Sequence, residues 1–188
     1  HRNTSWDKAK FEVVGHKYAD LSDHDNGFAL LNDCKYGYMV HDNLLDLNLL
    51  RSPTNPDPDA DKGSHSFTYS LFPHKDNLIH SNVISEASCL NQEPILFDGM
   101  AGKVKIPVEF MGEGLELSVL KKAEKEDAWI IRIIETHGRM SSGTIKLNGK
   151  ILECDLMEWK ELGDYVQIKG SLKLKLDPFE IKTYKVLY

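Results

Sequence analysis

The stretch ALLNDCKYGYMVHDNLLDLNLLRSPT, Ala29 to Thr54, decides how this chain is read. A short apolar run, Ala29 to Leu31, ends in a cluster of Asn32, Asp33, Cys34, Lys35, Tyr36, Gly37 and Tyr38. Asp42 and Asn43 give a turn signal. After them Leu45, Leu47 and Leu49 share one face and Asp46 and Asn48 the other, the period of a half-buried strand. A strand that only fills a core does not need such polar and aromatic density at one end. Arg51 has the parity of the leucines. If the alternation persists, its guanidinium emerges on the apolar face. If the strand stops at Leu50, Arg51 is a solvated or snorkelling loop residue, and spacing alone favours that second reading.

Outward from this stretch, period-2 alternation predominates. Phe11 and Val13 alternate with charged neighbours, and strands are predicted over 17–21, 28–31, 36–40 and 66–73. The cluster 22–27 reads as a turn, with Asn26-Gly27 as its hairpin signal. Residues 52–65 form a Pro-rich loop. Its Asp57, Asp59 and Asp61 mimic a calcium loop, but Gly63 falls at the seventh position and Thr68 at the twelfth, so a solvated acidic turn is the better reading. The one predicted helix covers 77–90, capped by Asp76 or Asn77, with Ile79, Val83, Ala87 and Leu90 on one stripe. Beyond Pro94 the texture changes. Strands are expected over 103–106, 115–120, 128–135, 144–147, 151–158, 165–176 and 179–186, with Asn148-Gly149 as a turn. Short strands at this spacing predict a β-sandwich. The domain boundary is placed near residue 92.

The chain has 188 residues, 41% hydrophobic and 28% charged, within the range of an ordinary globular protein. Its net charge of −6 argues against nucleic acid. No apolar run nears the roughly 20 residues that span a bilayer. Cys34, Cys89 and Cys154 form no CxxC and read as reduced cytosolic thiols. The start, HRNTSWDKAKFE, has no initiator Met and no apolar leader segment, as expected of a fragment or a processed chain. No phosphate-binding loop, HExxH or GxSxG is present. Asp33, Lys35, Tyr36, Tyr38 and Arg51 together supply the acceptors, donors and aromatic faces that bind sugar hydroxyls and pyranose rings. A surface ion pair beside ordinary strand tyrosines explains the same residues.

The order of the blocks HRNTSWDKAKFEV, HKYADLSD, GFALLNDCKYGYMVHDN, LLRSPT, HSFTYSLFPH and DPFEIKTYKV resembles the C-terminal region of the glycoside hydrolase family 38 α-mannosidases, of the bacterial and cytosolic type. The resemblance is strong over 1–92 and weak over 93–188 except at the final block. Asn55 departs from it, since an aromatic residue is expected there. The resemblance implies an all-β, antiparallel fold. Residues 1–92 would close a large galactose-mutarotase-like sandwich and add its exit helix; residues 93–188 would be a small terminal sandwich. It implies a retaining enzyme that removes terminal α-linked mannose. Its zinc and Asp nucleophile belong to an upstream N-terminal domain, so this chain alone would hold neither catalytic residue nor metal and would be inactive. It also implies that Arg51 approaches the mannose; from their place in the sequence, Asp33 in the block opposite is its expected anchor, and Tyr36 and Tyr38 are further substrate-binding candidates. The expected partners are the upstream domains of the same cytoplasmic enzyme, a mannoside or oligosaccharide, and a second copy in a homo-oligomer. Two other classes stay open: an independent carbohydrate-binding module using Trp129 or Trp159, and a structural interaction domain with an exposed apolar patch.

Overall fold

The computed structural model describes residues 11–96, 98, 99, 102 and 108–188. The described strands are antiparallel and only one α-helix accompanies them. The chain divides into two compact units between Asp98 and Gly99. The strand expected over 103–106 lies outside the described residues.

The first unit holds two three-stranded sheets. One orders β1 (Val13–Val14), β4 (Gly37–His41) and β5 (Leu44–Asn48). Asp42-Asn43 makes the two-residue hairpin between β4 and β5, with Asp42 at φ 49°, a left-handed conformation that Asp tolerates better than most residues. The other sheet orders β2 (Tyr18–Ser22), β3 (Asn26–Asn32) and β6 (Tyr69–Lys75). Helix α1 (Val83–Asn91) lies on one face of that sheet. Val83 and Ala87 are fully buried against Ala29 and Leu31, and the small alanines on both sides let helix and strand approach closely. Burying the Val83 side chain contributes about 2 kcal/mol.

Two expectations are corrected here. The helix predicted over 77–90 is broken. Asn77 caps a separate 3-10 turn, Leu78–His80, by accepting from the Ile79 and His80 amides. Ser81 then donates its hydroxyl to the Leu78 carbonyl and accepts from the Val83 amide, so a side chain takes up backbone groups that would have continued the helix. Asn26-Gly27 is not the turn before β3. Asp23 makes that turn, its carboxylate accepting from the Asp25 and Asn26 amides at 2.8 Å each. Gly27 already pairs between Ser22 and His74. A side-chain carbon there would overlap the His74 ring, which crosses Gly27 to reach Asp20.

The second unit contains β7 (Glu109–Gly112), β8 (Leu115–Lys122), β9 (Trp129–Glu135), β10 (Ser141–Cys154), β11 (Val166–Leu176) and β12 (Ile181–Leu187). Their order is β11-β10-β12-β9-β8, with β7 on β10. β7 has no counterpart in the sequence reading. The two strands predicted on either side of Asn148-Gly149 are one strand of 14 residues. Its register with β11 runs unbroken from Ser141 to Ile151. On the opposite edge it pairs first with β7 and then with β12. Gly149 sits where that partner changes, at φ 157°, and any Cβ there would overlap the Leu187 carbonyl oxygen. The Asn-Gly pair therefore marks a close backbone crossing rather than a hairpin. Ile131, Ile133, Ile145, Leu176 and Val186 are fully buried at the centre of this unit, and Trp129 packs at its margin.

Candidate functional site

The Asn32–Tyr38 segment connects β3 to β4, and Asn32 organises it. Asn32 is 1% exposed. Its Oδ1 accepts from the Cys34 amide at 3.1 Å and the Lys35 amide at 2.6 Å, an Asx turn that reverses the chain. Its Nδ2 donates to the Tyr38 hydroxyl. Its backbone amide donates to the Lys17 carbonyl, and its carbonyl accepts from Asn91 at the end of α1. One buried amide thus ties β2, β3, β4 and the helix terminus together.

The residues expected at a sugar site are distributed unequally around this hub. Tyr38 is in the core, 1% exposed, with its hydroxyl bonded to Asn32; burial pushes its phenol up, against the opposing effect of that bond. It holds the turn rather than meeting a ligand. Asp33 is exposed, but its carboxylate accepts from the Thr68 amide at 3.0 Å. The Cys34 thiol and Thr68 hold the Asp33 carboxyl below its ordinary value. The same contact with Asp33 raises Cys34, so this exposed thiol is a poor nucleophile. Asp33 therefore does not anchor Arg51: among the described residues Arg51 is in no ion pair or hydrogen bond. Tyr36 is half exposed and lies against His16, ring centroids 4.8 Å apart. Lys35 extends over the Phe67 ring at 4.9 Å.

β5 ends at Asn48, ahead of Arg51. Leu45, Leu47 and Leu49 are the half-buried set, as their parity predicts, but Arg51 leaves the alternation and is exposed. The following Ser52 turns at φ 48° and donates its amide to Asp61 at 2.8 Å. Asp57 accepts the Asp59 amide, and Asp59 pairs with Lys62, so the acidic loop is spent on its own backbone and a lysine. Among the described residues no group of three or more His, Cys, Asp or Glu is placed to hold a metal ion. Arg51 and Tyr36 are thus the two predicted site residues left with exposed side chains not already held by a hydrogen bond or ion pair of the described chain.

Sequence reasoning missed two buried polar groups. His74 and Asp20 bond at 2.8 Å with 4% of each side chain exposed, and Asp20 also accepts from Ser22. The other His74 nitrogen faces the Lys75 carbonyl at 3.1 Å. Both ring nitrogens face acceptors, an arrangement that favours the doubly protonated ring. Gly27 opposite His74 was the available signal. In the second unit Glu135 is 1% exposed and bound by four donors. Its place amid the isoleucines of β9 gave no local sign of this.

The comparisons fit this geometry. Residues 1–59 match the model of the glycosyl hydrolases family 38 C-terminal domain, and residues 114–184 that of the family 38 C-terminal beta sandwich domain. The chain belongs to this family, as part of its C-terminal, β-rich region. It is 40% identical to alpha-mannosidase G of Dictyostelium discoideum over all of this chain and 18% of that protein. It is 37% identical to human alpha-mannosidase 2C1 over 96% of this chain and 18% of that protein. The chain therefore spans less than a fifth of the length of these curated relatives. A solved family 38 protein from Enterococcus faecalis superposes with TM-score 0.65 at 14% identity, covering 93% of this chain and 22% of its own, which supports the fold.

Proposed function

We propose that this chain is the non-catalytic C-terminal region of a retaining, cytoplasmic α-mannosidase that hydrolyses terminal α-linked mannose. The kinship supplies the activity. Zinc and nucleophile are assigned to upstream domains on the family resemblance alone. This region completes the β-rich body and lends Arg51 to the mannose, with Tyr36 as a second contact and with Asp33 and Tyr38 holding the intervening turn. The arginine would hydrogen-bond sugar hydroxyls or orient a carboxylate.

The observation that carries this docked role is the sheet face opposite α1. Register places Leu21, Phe28, Tyr69, Leu71 and Pro73 together there, around an already buried Leu30. Phe28 is 42%, Tyr69 53% and Leu71 60% exposed. Contiguous apolar surface of this kind marks an interface, and upstream β structure of the same polypeptide is the cover that fits. The test is Arg51→Ala in the intact enzyme. kcat/KM for an aryl α-mannoside falls about tenfold or more, roughly 1.4 kcal/mol of transition-state binding, with the melting temperature unchanged. An unchanged kcat/KM removes Arg51 from the site.

A further inference from the structure

The second unit carries a groove of about 210 Å³ between the β8–β9 connection and the turn that follows β10. That turn is tied down. Asp155 accepts the Trp159 amide at 2.8 Å and the Lys160 amide at 3.2 Å, and Arg132 donates to the Leu156 carbonyl at 2.8 Å. Yet the turn presents Trp159 with 66% of its surface in solvent, beside exposed Met157.

The walls decide what fits. Lys185 pairs with Glu126, and Arg132 lies 3.4 Å from Glu158, so the charges around the groove largely cancel. A phosphate or an acidic peptide would meet almost no net field. A neutral polyhydroxyl ring would meet carboxylate acceptors and cationic donors around an aromatic face, the combination that recognises sugars. The volume, below the roughly 300–1,000 Å³ of drug-sized sites, suits a single ring. Lys125 lies over the indole at 4.6 Å. It occupies that face by a cation–π contact until a sugar takes it, and its ammonium then stays close enough to donate to a hydroxyl.

We propose that this groove binds one pyranose ring of a mannose-containing oligosaccharide, stacked on Trp159. The choice of mannose rests on the α-mannosidase reading above; the sugar class rests on the groove. The experiment is affinity electrophoresis of the intact protein carrying this chain, through gels containing soluble α-mannan or, as control, galactan. Wild type is retarded by mannan and not by galactan. Trp159→Ala weakens the apparent affinity about tenfold or more, as truncation of a central aromatic anchor does. Trp159→Phe, which keeps a ring, retains most of the retardation, and thermal melts confirm that both variants are folded. Equal retardation of Trp159→Ala, equal retardation in galactan, or none of wild type overturns the proposal. Hydrolysis of nitrophenyl α-mannoside by the same wild-type sample separates the two readings. Activity without Trp159-dependent retardation sinks the groove alone; retardation without activity sinks the mannosidase reading alone.

Discussion

Glu135→Ala should be among the most damaging single substitutions in the second unit. The carboxylate is 1% exposed. Its Oε1 accepts from the His137 amide at 2.9 Å and the Ser141 hydroxyl at 3.0 Å. Its Oε2 accepts from the Gly138 amide at 2.8 Å and the Phe179 amide at 2.9 Å. One side chain thus fastens the β9–β10 turn to the approach of β12. Truncation strands three amides and a hydroxyl, each costing on the order of 1 kcal/mol or more where water cannot reach, so the loss is about 3–5 kcal/mol. For a domain of this size that is a fall in melting temperature on the order of 15 °C. Glu135→Gln keeps one acceptor oxygen but turns an amide group toward two donors, and should lose about half as much. Burial pushes the carboxyl up, but the Phe179 and His137 amides, the Ser141 hydroxyl and the Gly138 amide outweigh it and hold it below its ordinary value. Its stabilisation is therefore fully present above the unfolded carboxyl's pKa, about 4.3, and is lost as pH falls through the lower folded value. Urea denaturation of wild type and both variants between pH 3 and 7 reads all of this. A loss below about 1 kcal/mol for the alanine variant at pH 7 would refute the argument, because four satisfied donors cannot be stranded so cheaply.

His74 behaves with the opposite sign. Burial pushes its pKa down, but the bond to Asp20, the Lys75 carbonyl and the Asp20 charge together raise it. Its contribution is complete below about pH 6.5 and is lost as pH rises through the higher folded value; His74→Gln should flatten that part of the melting curve against pH, and a wild-type profile already flat above pH 6.5 refutes the buried imidazolium. Gly149→Ala must push its new carbon into the Leu187 carbonyl at a strained φ, and should lower the melting temperature on the order of 10 °C; a shift below about 2 °C in calorimetry would show that β10 and β12 do not cross there as described.

What was legible in the sequence is what depends on neighbours along the chain. The leucines of β5 and the Asp42-Asn43 hairpin are local facts, set by alternation and by tolerance of left-handed backbone. Asn26-Gly27 and Asn148-Gly149 carry the same local signature but answer to distant partners. One leaves room for a histidine from β6, the other for a carbonyl from β12. Pair identity cannot distinguish a turn from a close approach, because both require the missing side chain. The site was split by the same logic. Tyr36 and Tyr38 are two residues apart, yet Tyr38, within β4, faces Asn32 in the core, while Tyr36, just ahead of the strand, meets His16 at the surface. The parity of Arg51 could not be followed, since β5 stops at Asn48 and parity has no meaning once the ladder ends.

The strand order of the second unit has a consequence for how it is made. β12 is the last of the unit's described strands but lies in the middle of the sheet, between β10 and β9. A ribosome delivers residues 181–187 after every other strand of the unit. Until then β9 with β8, and β10 with β7 and β11, are separate pieces with open edges able to pair with any passing chain. The nascent sheet is closed only when this keystone arrives, so any truncation that removed β12 would leave two halves with nothing between them.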